Sequence, residues 1–226
     1  MQSKNIRDSF KAYMVKNHQF EGKYDIPICS SNITKIPKKI ITFSEAKEEI
    51  KKDYPNFNAT VCFYKDDYKF DSIKSGIWNN PYKWVPLLSK FDSVIEPDFS
   101  TYQDFPMALK IYNIYRMRAV GCFLQNCGIP IISNYRSGTY ETFEYCTDGI
   151  KRNSIVCIGT HGFIKHKNDQ KRLMHGLNLL INKKNPSYIL FYGSIPKDIS
   201  DLLNKKQIPF KSYKTDLKRR IEGAKN

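Results

Sequence analysis

Short apolar or β-branched runs alternate with longer stretches of helical character along most of the chain. Eight runs have the length and composition of β-strands, at residues 26–30, 40–43, 59–64, 93–96, 129–133, 154–159, 187–192 and 208–213. Several of these runs are continuously apolar rather than alternating, which is typical of strands buried on both faces of a sheet. The pattern therefore predicts a largely parallel sheet.

Helices are predicted between these runs. The clearest one spans residues 106–127, where Ala108, Ile111 and Tyr115 recur at three- and four-residue spacing and Gly128 marks the end. Further candidates lie at residues 44–53, 168–183, 197–205 and 214–222. Strands and helices therefore alternate, which is the pattern of an α/β protein.

The chain shows no obvious linker, so a single α/β domain is expected over residues 1–226. Residues 1–25 form an N-terminal extension in this interpretation, and residues 214–226 a basic C-terminal helix or tail. The strand count favours a compact (β/α)8-like barrel with mostly parallel strands, although the chain is short for that fold. The alternative is an open, doubly wound parallel sheet.

Composition supports a folded protein away from the membrane. Hydrophobic residues make up 41% of the 226 residues and aromatic residues 14%, which excludes a disordered chain. No apolar run approaches the ~18 residues of a membrane span. The N-terminal sequence MQSKNIRDSF lacks the apolar centre of a signal peptide. We therefore expect a cytoplasmic protein that does not interact with membranes.

The cysteines and histidines do not suggest a metal site. The six cysteines form no CxxC pair, and most of them lie in or beside apolar runs. The four histidines are not placed at ligand spacing from the cysteines. Buried free thiols are therefore expected, with no bound metal.

The formal net charge of +15 is unevenly distributed. Residues 1–40 carry 8 basic and 3 acidic side chains, whereas residues 41–150 carry 12 and 14. Residues 151–184 carry 8 and 1, and residues 197–226 carry 9 and 4. A neutral to acidic middle is therefore flanked by basic segments, which attract polyanions.

Basic segments combined with many aromatic residues favour nucleic acid as the partner, and DNA before RNA. Lysine and arginine neutralise phosphates, and aromatic side chains stack on exposed bases. The candidates for contacts with the nucleic-acid backbone are Lys165, Lys167, Lys171, Arg172, Lys218, Arg219 and Arg220. The alternative is that these cations only coat solvated helices.

In either architecture, ligand-handling groups gather just beyond the carboxyl ends of the strands. Asp98 follows the run 93–96, where a carboxylate can act as a nucleophile, general base or metal ligand. Asp66 and Asp67 follow another strand and add a second acidic point. Adjacent residues on an extended chain point in opposite directions, so at most one of that pair is expected in the site. These three aspartates are the catalytic candidates, and turn formation is the alternative role for Asp98.

The candidates for substrate binding are Ser100, Tyr102, Asn113, Arg116, Asn134, Arg136, His161 and Tyr192. Most of them lie at strand ends, whereas Asn113 and Arg116 belong to the predicted helix 106–127, where support of the core is the favoured role. His161, in the sequence IGTHG, can shuttle a proton or contact a phosphate, with a structural role as the alternative. The motifs GxSxG, HExxH, DFG and GxGxxG are absent, which disfavours serine hydrolases, zincins, kinases and dinucleotide-binding enzymes.

Several stretches resemble one bacterial and phage family. They run from DDYKFDSIKSGIWNNP through VIEPDFSTYQDFP and NIYRMRA to TYETFEYCTDGI and YILFYGSIP. The family is catalogued only as a domain of unknown function, number 4417, and the resemblance covers roughly residues 26–213. It singles out Asp66, Asp67, Trp78, Pro81, Pro97, Asp98, Ser100, Tyr102, Asn113, Tyr115, Arg116, Arg118, Glu144, Asp148, Gly149, Tyr192 and Gly193. Glu96 departs from the family pattern, which has serine there.

A looser analogy links the predicted fold to tRNA-guanine transglycosylase-like barrels, which carry a catalytic aspartate at a strand end and act on N-glycosidic bonds. The chain lacks the CxC…C zinc site that is common in those enzymes. The analogy implies that Asp98 attacks or stabilises the sugar C1′ while aromatic residues hold the base.

Three functions therefore stay open at this point. The first is an N-glycosylase-like enzyme that removes a base from DNA with Asp98 as its key carboxylate and without a cofactor. The second is a non-catalytic nucleic-acid-binding protein of a phage or mobile element. The third is a nuclease or phosphoesterase that uses Mg²⁺ held by Asp66 and Asp98.

Overall fold

The structure is a computed structural model that describes residues 8–30, 33, 35–160 and 167–224. Nine strands are present in this part of the chain: β1 (Phe20–Glu21), β2 (Ile26–Pro27), β3 (Ile40–Thr42), β4 (Thr60–Cys62), β5 (Ser93–Ile95), β6 (Ile131–Asn134), β7 (Ile155–Gly159), β8 (Tyr188–Tyr192) and β9 (Phe210–Tyr213). Strands β3 to β9 form one sheet in chain order, and every neighbouring pair is parallel. The α/β class and the parallel sheet are confirmed.

Six α-helices accompany the strands in the described ranges: α1 (Phe43–Glu49), α2 (Val85–Leu88), α3 (Met107–Asn126), α4 (Lys167–Lys184), α5 (Lys197–Lys205) and α6 (Asp216–Gly223). Four short 3-10 helices lie at Ala12–Val15, Asp67–Lys69, Pro81–Trp84 and Tyr140–Glu144. Helix α1 begins with a capping box, in which Thr42 and Glu45 bond each other's backbone N–H groups. The Thr215 side chain caps α6 in the same position.

The sheet is curled, with helices α1 to α5 on its outer face. Ile41, Val61 and Val94 point into the outer core with α1 and α3, and Val156 and Ile189 pack with α4 and α5. The inner face forms its own apolar cluster, made by side chains from all seven strands: Ile40, Cys62, Ile95, Ile132, Ile155, Cys157, Leu190, Tyr192 and Tyr213. Side chains of the first and last strands meet in that cluster, so the sheet is a half-barrel.

The two edges of the sheet approach each other through side chains. In the described part of the chain, no backbone ladder joins β9 to β3. The Tyr213 hydroxyl instead donates to the Pro37 carbonyl at 2.6 Å, and an Arg219 N–H donates to the Ile40 carbonyl at 3.2 Å. Arg219 also pairs with both carboxylate oxygens of Glu45, at 2.7 and 2.8 Å. The two edges of the curled sheet are therefore joined by side-chain hydrogen bonds and not by a strand ladder.

The predicted eight-stranded barrel is not confirmed, because residues 26–30 lie outside the main sheet. Ile26 and Pro27 pair with β1 in an antiparallel ladder, and Cys29 forms a single parallel bridge to Ile150. Pro27 has no N–H group to donate to a sheet ladder. Ile26 and Cys29 are instead buried in the outer core that contains α3. An open sheet fits the seven remaining strands, but their order follows the chain and lacks the reversal of a doubly wound sheet.

The described part of the chain holds no helix that is long and apolar enough to cross a membrane. All six cysteines are free thiols, and five of them are buried, with Cys127 partly exposed.

Candidate functional site

A pocket of about 480 Å³ opens at the carboxyl edge of the sheet. Its walls come from the segments that follow β4, β5, β6 and β9, together with the last residue of β7. The lining residues are Tyr64, Lys65, Asp66, Asp98, Ser100, Tyr102, Arg136, Gly159, Thr215, Asp216, Leu217 and Arg220. Five of the predicted site residues, all of which follow the carboxyl ends of strands, therefore lie together in this pocket: Asp66, Asp98, Ser100, Tyr102 and Arg136. Arg220, one of the predicted contacts to the nucleic-acid backbone, also lines it.

Asp98 is the most constrained carboxylate of the pocket. It is 8% exposed, its Oδ1 accepts a hydrogen bond from the Asn134 amide at 2.9 Å, and its Oδ2 pairs with Arg136 at 2.6 Å. Burial raises the pKa of Asp98, and Arg136 and the Asn134 amide act in the opposite direction. We call Asp98, Asn134 and Arg136 the Asp98 cluster. The cluster holds one carboxylate in a fixed orientation at the pocket wall.

Tyr64 determines which way the Asn134 amide faces. The Tyr64 hydroxyl donates to Asn134 Oδ1 at 2.8 Å, so the Asn134 NH₂ group is directed at Asp98. The Tyr64 ring stacks on Tyr192 with centroids 5.3 Å apart. The predicted site residue Tyr192 is thus buried behind Tyr64, and the ring that lines the pocket is that of Tyr64.

Gly159 provides the space for the Tyr64 ring. A Cβ atom at residue 159 would lie 2.5 Å from Cδ1 and 2.6 Å from Cε1 of Tyr64. These distances are shorter than van der Waals contact, and the ring is held from behind by Tyr192. The absence of a side chain at Gly159 therefore allows the Tyr64 ring to occupy its place in the pocket wall.

We expect Gly159→Ala to lower the free energy of unfolding by about 1–3 kcal/mol, because the Tyr64 ring must move in a close-packed region. Chemical denaturation followed by circular dichroism measures this loss. Gly223→Ala is the matched control, since a Cβ there meets nothing within 4 Å. Equal stability of the two variants would show that Tyr64 is not held in place by Gly159.

The other aspartate of the predicted pair has a supporting role. Both carboxylate oxygens of Asp67 accept hydrogen bonds from Ser100, from its hydroxyl at 2.9 Å and from its N–H at 3.1 Å. The exposed Asp66 lines the pocket, whereas Asp67 does not. Asp67 instead fixes the loop that carries Asp98.

Asn113 and Arg116 support the same loop from α3. The Asn113 amide donates to the Ser100 carbonyl, and the Asn113 oxygen accepts from Arg116 at 2.8 Å. Arg116 pairs with Asp71 at 2.6 Å and lies 4.0 Å from the centre of the Phe99 ring. Neither of these two predicted substrate-binding residues lines the pocket; both bond to the segment around it.

A fully buried ion pair lies behind the Asp98 cluster. Arg118 donates to Glu96 Oε2, and the Asn134 backbone N–H donates to the same oxygen at 2.8 Å. Arg118 also donates to the Asn134 carbonyl at 2.7 Å and to the Asp148 carbonyl at 3.1 Å. Burial raises the pKa of Glu96, and Arg118 opposes that shift. The pair anchors the backbone of Asn134 from both sides, so it positions the Asp98 cluster.

A second charged group faces the pocket from its other wall, and we call Lys65, Asp216 and Arg220 the α6 cluster. Asp216 is 4% exposed and pairs with Lys65 at 2.5 Å and Arg220 at 3.7 Å. Burial alone would raise the pKa of Asp216, but the Lys65 ammonium, the Leu217 backbone N–H and the Arg220 charge together lower it. Sequence reasoning had included only Arg220 of this cluster.

The remaining predicted backbone contacts lie outside the pocket. Lys167, Lys171 and Lys218 are exposed on α4 and α6, whereas Arg172 pairs with Asp169. Arg219 closes the sheet edges through Glu45. His161 and Lys165 lie outside the described residues.

Metal-ligating side chains do not gather at the pocket. Within residues 8–30, 33, 35–160 and 167–224, no group of three or more histidine, cysteine, aspartate or glutamate side chains could hold a metal ion. Asp66 and Asp98 both line the pocket, but both oxygens of Asp98 already accept hydrogen bonds.

The curled parallel sheet and the pocket at its carboxyl edge define an α/β protein whose pocket is built mainly from strand-end loops. The chain belongs to the family described as domain of unknown function 4417, whose profile matches residues 18–214. The predicted resemblance is thereby confirmed.

Two phage proteins are similar to this chain. The "Gene 1 protein" of Mycobacterium phage D29 is 33% identical over 133 residues, which cover 59% of this chain and 48% of the phage protein. The "Gene 1 protein" of Mycobacterium phage L5 is 32% identical over 145 residues, 64% of this chain and 62% of that protein. The matches thus span about half to three-fifths of these relatives. No solved structure matches the chain.

Proposed function

We propose that this protein is a nucleic-acid-acting enzyme that cleaves the N-glycosidic bond of a nucleotide held in the pocket. The observation that carries the proposal is the state of Asp98, a buried carboxylate at the wall of a 480 Å³ pocket, oriented by an amide and a guanidinium. A carboxylate that is fixed before the substrate arrives can stabilise positive charge without reorganisation in the transition state.

The composition of the pocket fits a nucleotide. Tyr64 and Tyr102 offer aromatic surface for a base, and Tyr102 is exposed at the rim. Lys65, Arg136 and Arg220 supply cations for phosphate oxygens. The net charge of +15 favours encounter with a polyanion. A base inside a duplex must leave its stack to enter a pocket of this kind.

The chemistry assigned to Asp98 is that of a glycosidase carboxylate. As the bond between C1′ and the base nitrogen breaks, positive charge develops at the sugar, and Asp98 stabilises it or bonds to C1′. Water then adds its oxygen to C1′, and its proton balances the charge of the departing base. The products are the free base and a sugar that carries a hydroxyl group at C1′.

A direct test is incubation of the protein with single- and double-stranded DNA and RNA oligonucleotides, followed by chromatography of released bases. We expect release of at least one base, with EDTA having no effect, because Asp98 requires no metal for this role. Strand cleavage that disappears in EDTA would favour the Mg²⁺-dependent nuclease. Tight binding without any product would favour a non-catalytic binding protein, and either result would contradict the proposal.

A further inference from the structure

We propose that the α6 cluster is a phosphate subsite, which makes a phosphorylated nucleotide, not a free nucleoside, the ligand of this pocket. The identity of the rest of the ligand rests on the proposed function. The subsite itself is argued from the position, burial and charge of Lys65, Asp216 and Arg220.

Asp216 orients two cations from different parts of the chain. Its Oδ2 lies 2.5 Å from the Lys65 ammonium, which follows β4, and 3.7 Å from the Arg220 guanidinium on α6. Asp216 is itself fixed, because its backbone N–H donates to the Tyr192 hydroxyl at 2.9 Å. An ammonium has three donor protons and a guanidinium has five, so a single carboxylate leaves most of them for a ligand.

The charges of the α6 cluster do not balance. Within the cluster, one buried carboxylate faces two cations, so the cluster itself carries one positive charge in excess. The Asp98–Arg136 pair is balanced, and the exposed Asp66 brings the charged lining residues of the whole pocket to three cations and three carboxylates. Two cations at one carboxylate suit a phosphate, which binds lysine and arginine through charge-assisted hydrogen bonds.

The two clusters are joined by one pair of stacked rings. The Tyr64 hydroxyl bonds to Asn134 of the Asp98 cluster, and the Tyr192 hydroxyl bonds to Asp216 of the α6 cluster. The two rings stack with centroids 5.3 Å apart. A nucleotide likewise carries two different groups on one sugar, the reacting bond at C1′ and the phosphate, so one nucleotide can contact both clusters. Asp98, Lys65 and Arg220 line the same pocket, and we assign C1′ to Asp98 and the phosphate to Lys65 and Arg220.

Calorimetric titration of the full chain tests this assignment, with a nucleoside, its 5′-monophosphate and a short oligonucleotide as ligands. The variants are Arg220→Ala and Lys65→Gln, with Lys51→Ala as control, since Lys51 is also an exposed cation paired with a carboxylate. We expect the two pocket variants to weaken binding of the monophosphate about tenfold. Binding of the nucleoside and all affinities of Lys51→Ala should stay unchanged.

Arg220 keeps the test independent of folding, because its side chain is 70% exposed and its loss leaves the Lys65–Asp216 pair in place. A thermal melt verifies the fold of Lys65→Gln. A loss seen with the monophosphate assigns the subsite to free nucleotides, and a loss seen with the oligonucleotide assigns it to a strand; both support the subsite. Failure of the wild type to bind any phosphorylated ligand, or equal affinities for all variants, overturns it. Affinity is measured without turnover, so absence of base release would refute the proposed function alone.

Discussion

Asp98→Asn is expected to lower base release about a thousandfold while the protein stays folded. The substitution keeps the size of the side chain and removes the negative charge that faces the developing cation. The amide can still accept a hydrogen bond through its oxygen, so the loop after β5 keeps its support from Asp67 and Ser100. Turnover of the best oligonucleotide substrate measures the effect, and circular dichroism verifies the fold.

The matched control is Asp92→Asn, which removes an exposed carboxylate just before the opposite end of β5. We expect that control to behave like the wild type. Full activity in Asp98→Asn would remove this residue from the chemistry and leave a structural role for its contacts with Asn134 and Arg136. Loss of activity in both variants would indicate a general effect of charge on nucleic-acid binding.

The pH profile gives a second readout of the same cluster. Burial raises the pKa of Asp98, and Arg136 opposes that shift by favouring the charged carboxylate. Arg136→Met removes the cation, so the pKa rises further. Activity that needs ionised Asp98 is lost as pH falls through that pKa, and the acid limb of the profile should therefore move to higher pH. A limb that stays in place would show that another group controls it.

The parallel sheet was predictable because its strands are marked locally. Residues 154–159 and 187–192 are continuous apolar runs, and they form β7 and β8 almost residue for residue. Pro106 and Gly128 likewise bound the predicted helix, which spans Met107–Asn126. The run 26–30 has the same apolar character, but its burial comes from packing near α3. Apolar composition indicates that a segment is buried, but it does not indicate whether the segment packs in the sheet or against a helix.

The pocket was only partly predictable, because the curl of the sheet determines it. Asp98 and Arg136 follow neighbouring strands, so the strand-end rule sufficed to bring them together. Tyr64 meets Tyr192 across three intervening strands, and that contact depends on curvature, which no local pattern records. Asp216 lies in the basic segment 214–226, whose sequence predicts a solvated helix or tail. Its pairing with Lys65 joins residues that are far apart in the chain.

The buried pair of Glu96 and Arg118 did leave a trace in the sequence. Ile114, Arg118 and Gly121 are spaced by four and three residues, so the arginine lies on the same helical face as a core isoleucine. Gly121 belongs to that face because a Cβ there would lie 2.7 Å from Glu96 Oε1. An arginine on an apolar face next to a glycine indicates a buried partner. The carboxylate next to Pro97 supplies it.

Arg118→Met is expected to lower the free energy of unfolding by about 3–5 kcal/mol, the largest loss of stability that we predict. The methionine fills part of the volume, but Glu96 loses the cation that compensates its buried charge. The carbonyl groups of Asn134 and Asp148 lose a donor as well. Denaturant unfolding measures the change, and Lys51→Met is the control, because exposed ion pairs contribute about 0–1 kcal/mol.

The double variant Arg118→Met/Glu96→Gln separates the charge from the other contacts. Replacing Glu96 removes the uncompensated carboxylate, so the double variant should be more stable than Arg118→Met alone. Its stability should stay below that of the wild type, since the two carbonyl groups remain without their donor. Equal stability of the single and double variants would show that Glu96 is already neutral in the folded protein, which would locate the cost in the carbonyl contacts. Base release should fall in both variants, because the Asn134 backbone bonded by Arg118 and Glu96 carries the amide that orients Asp98.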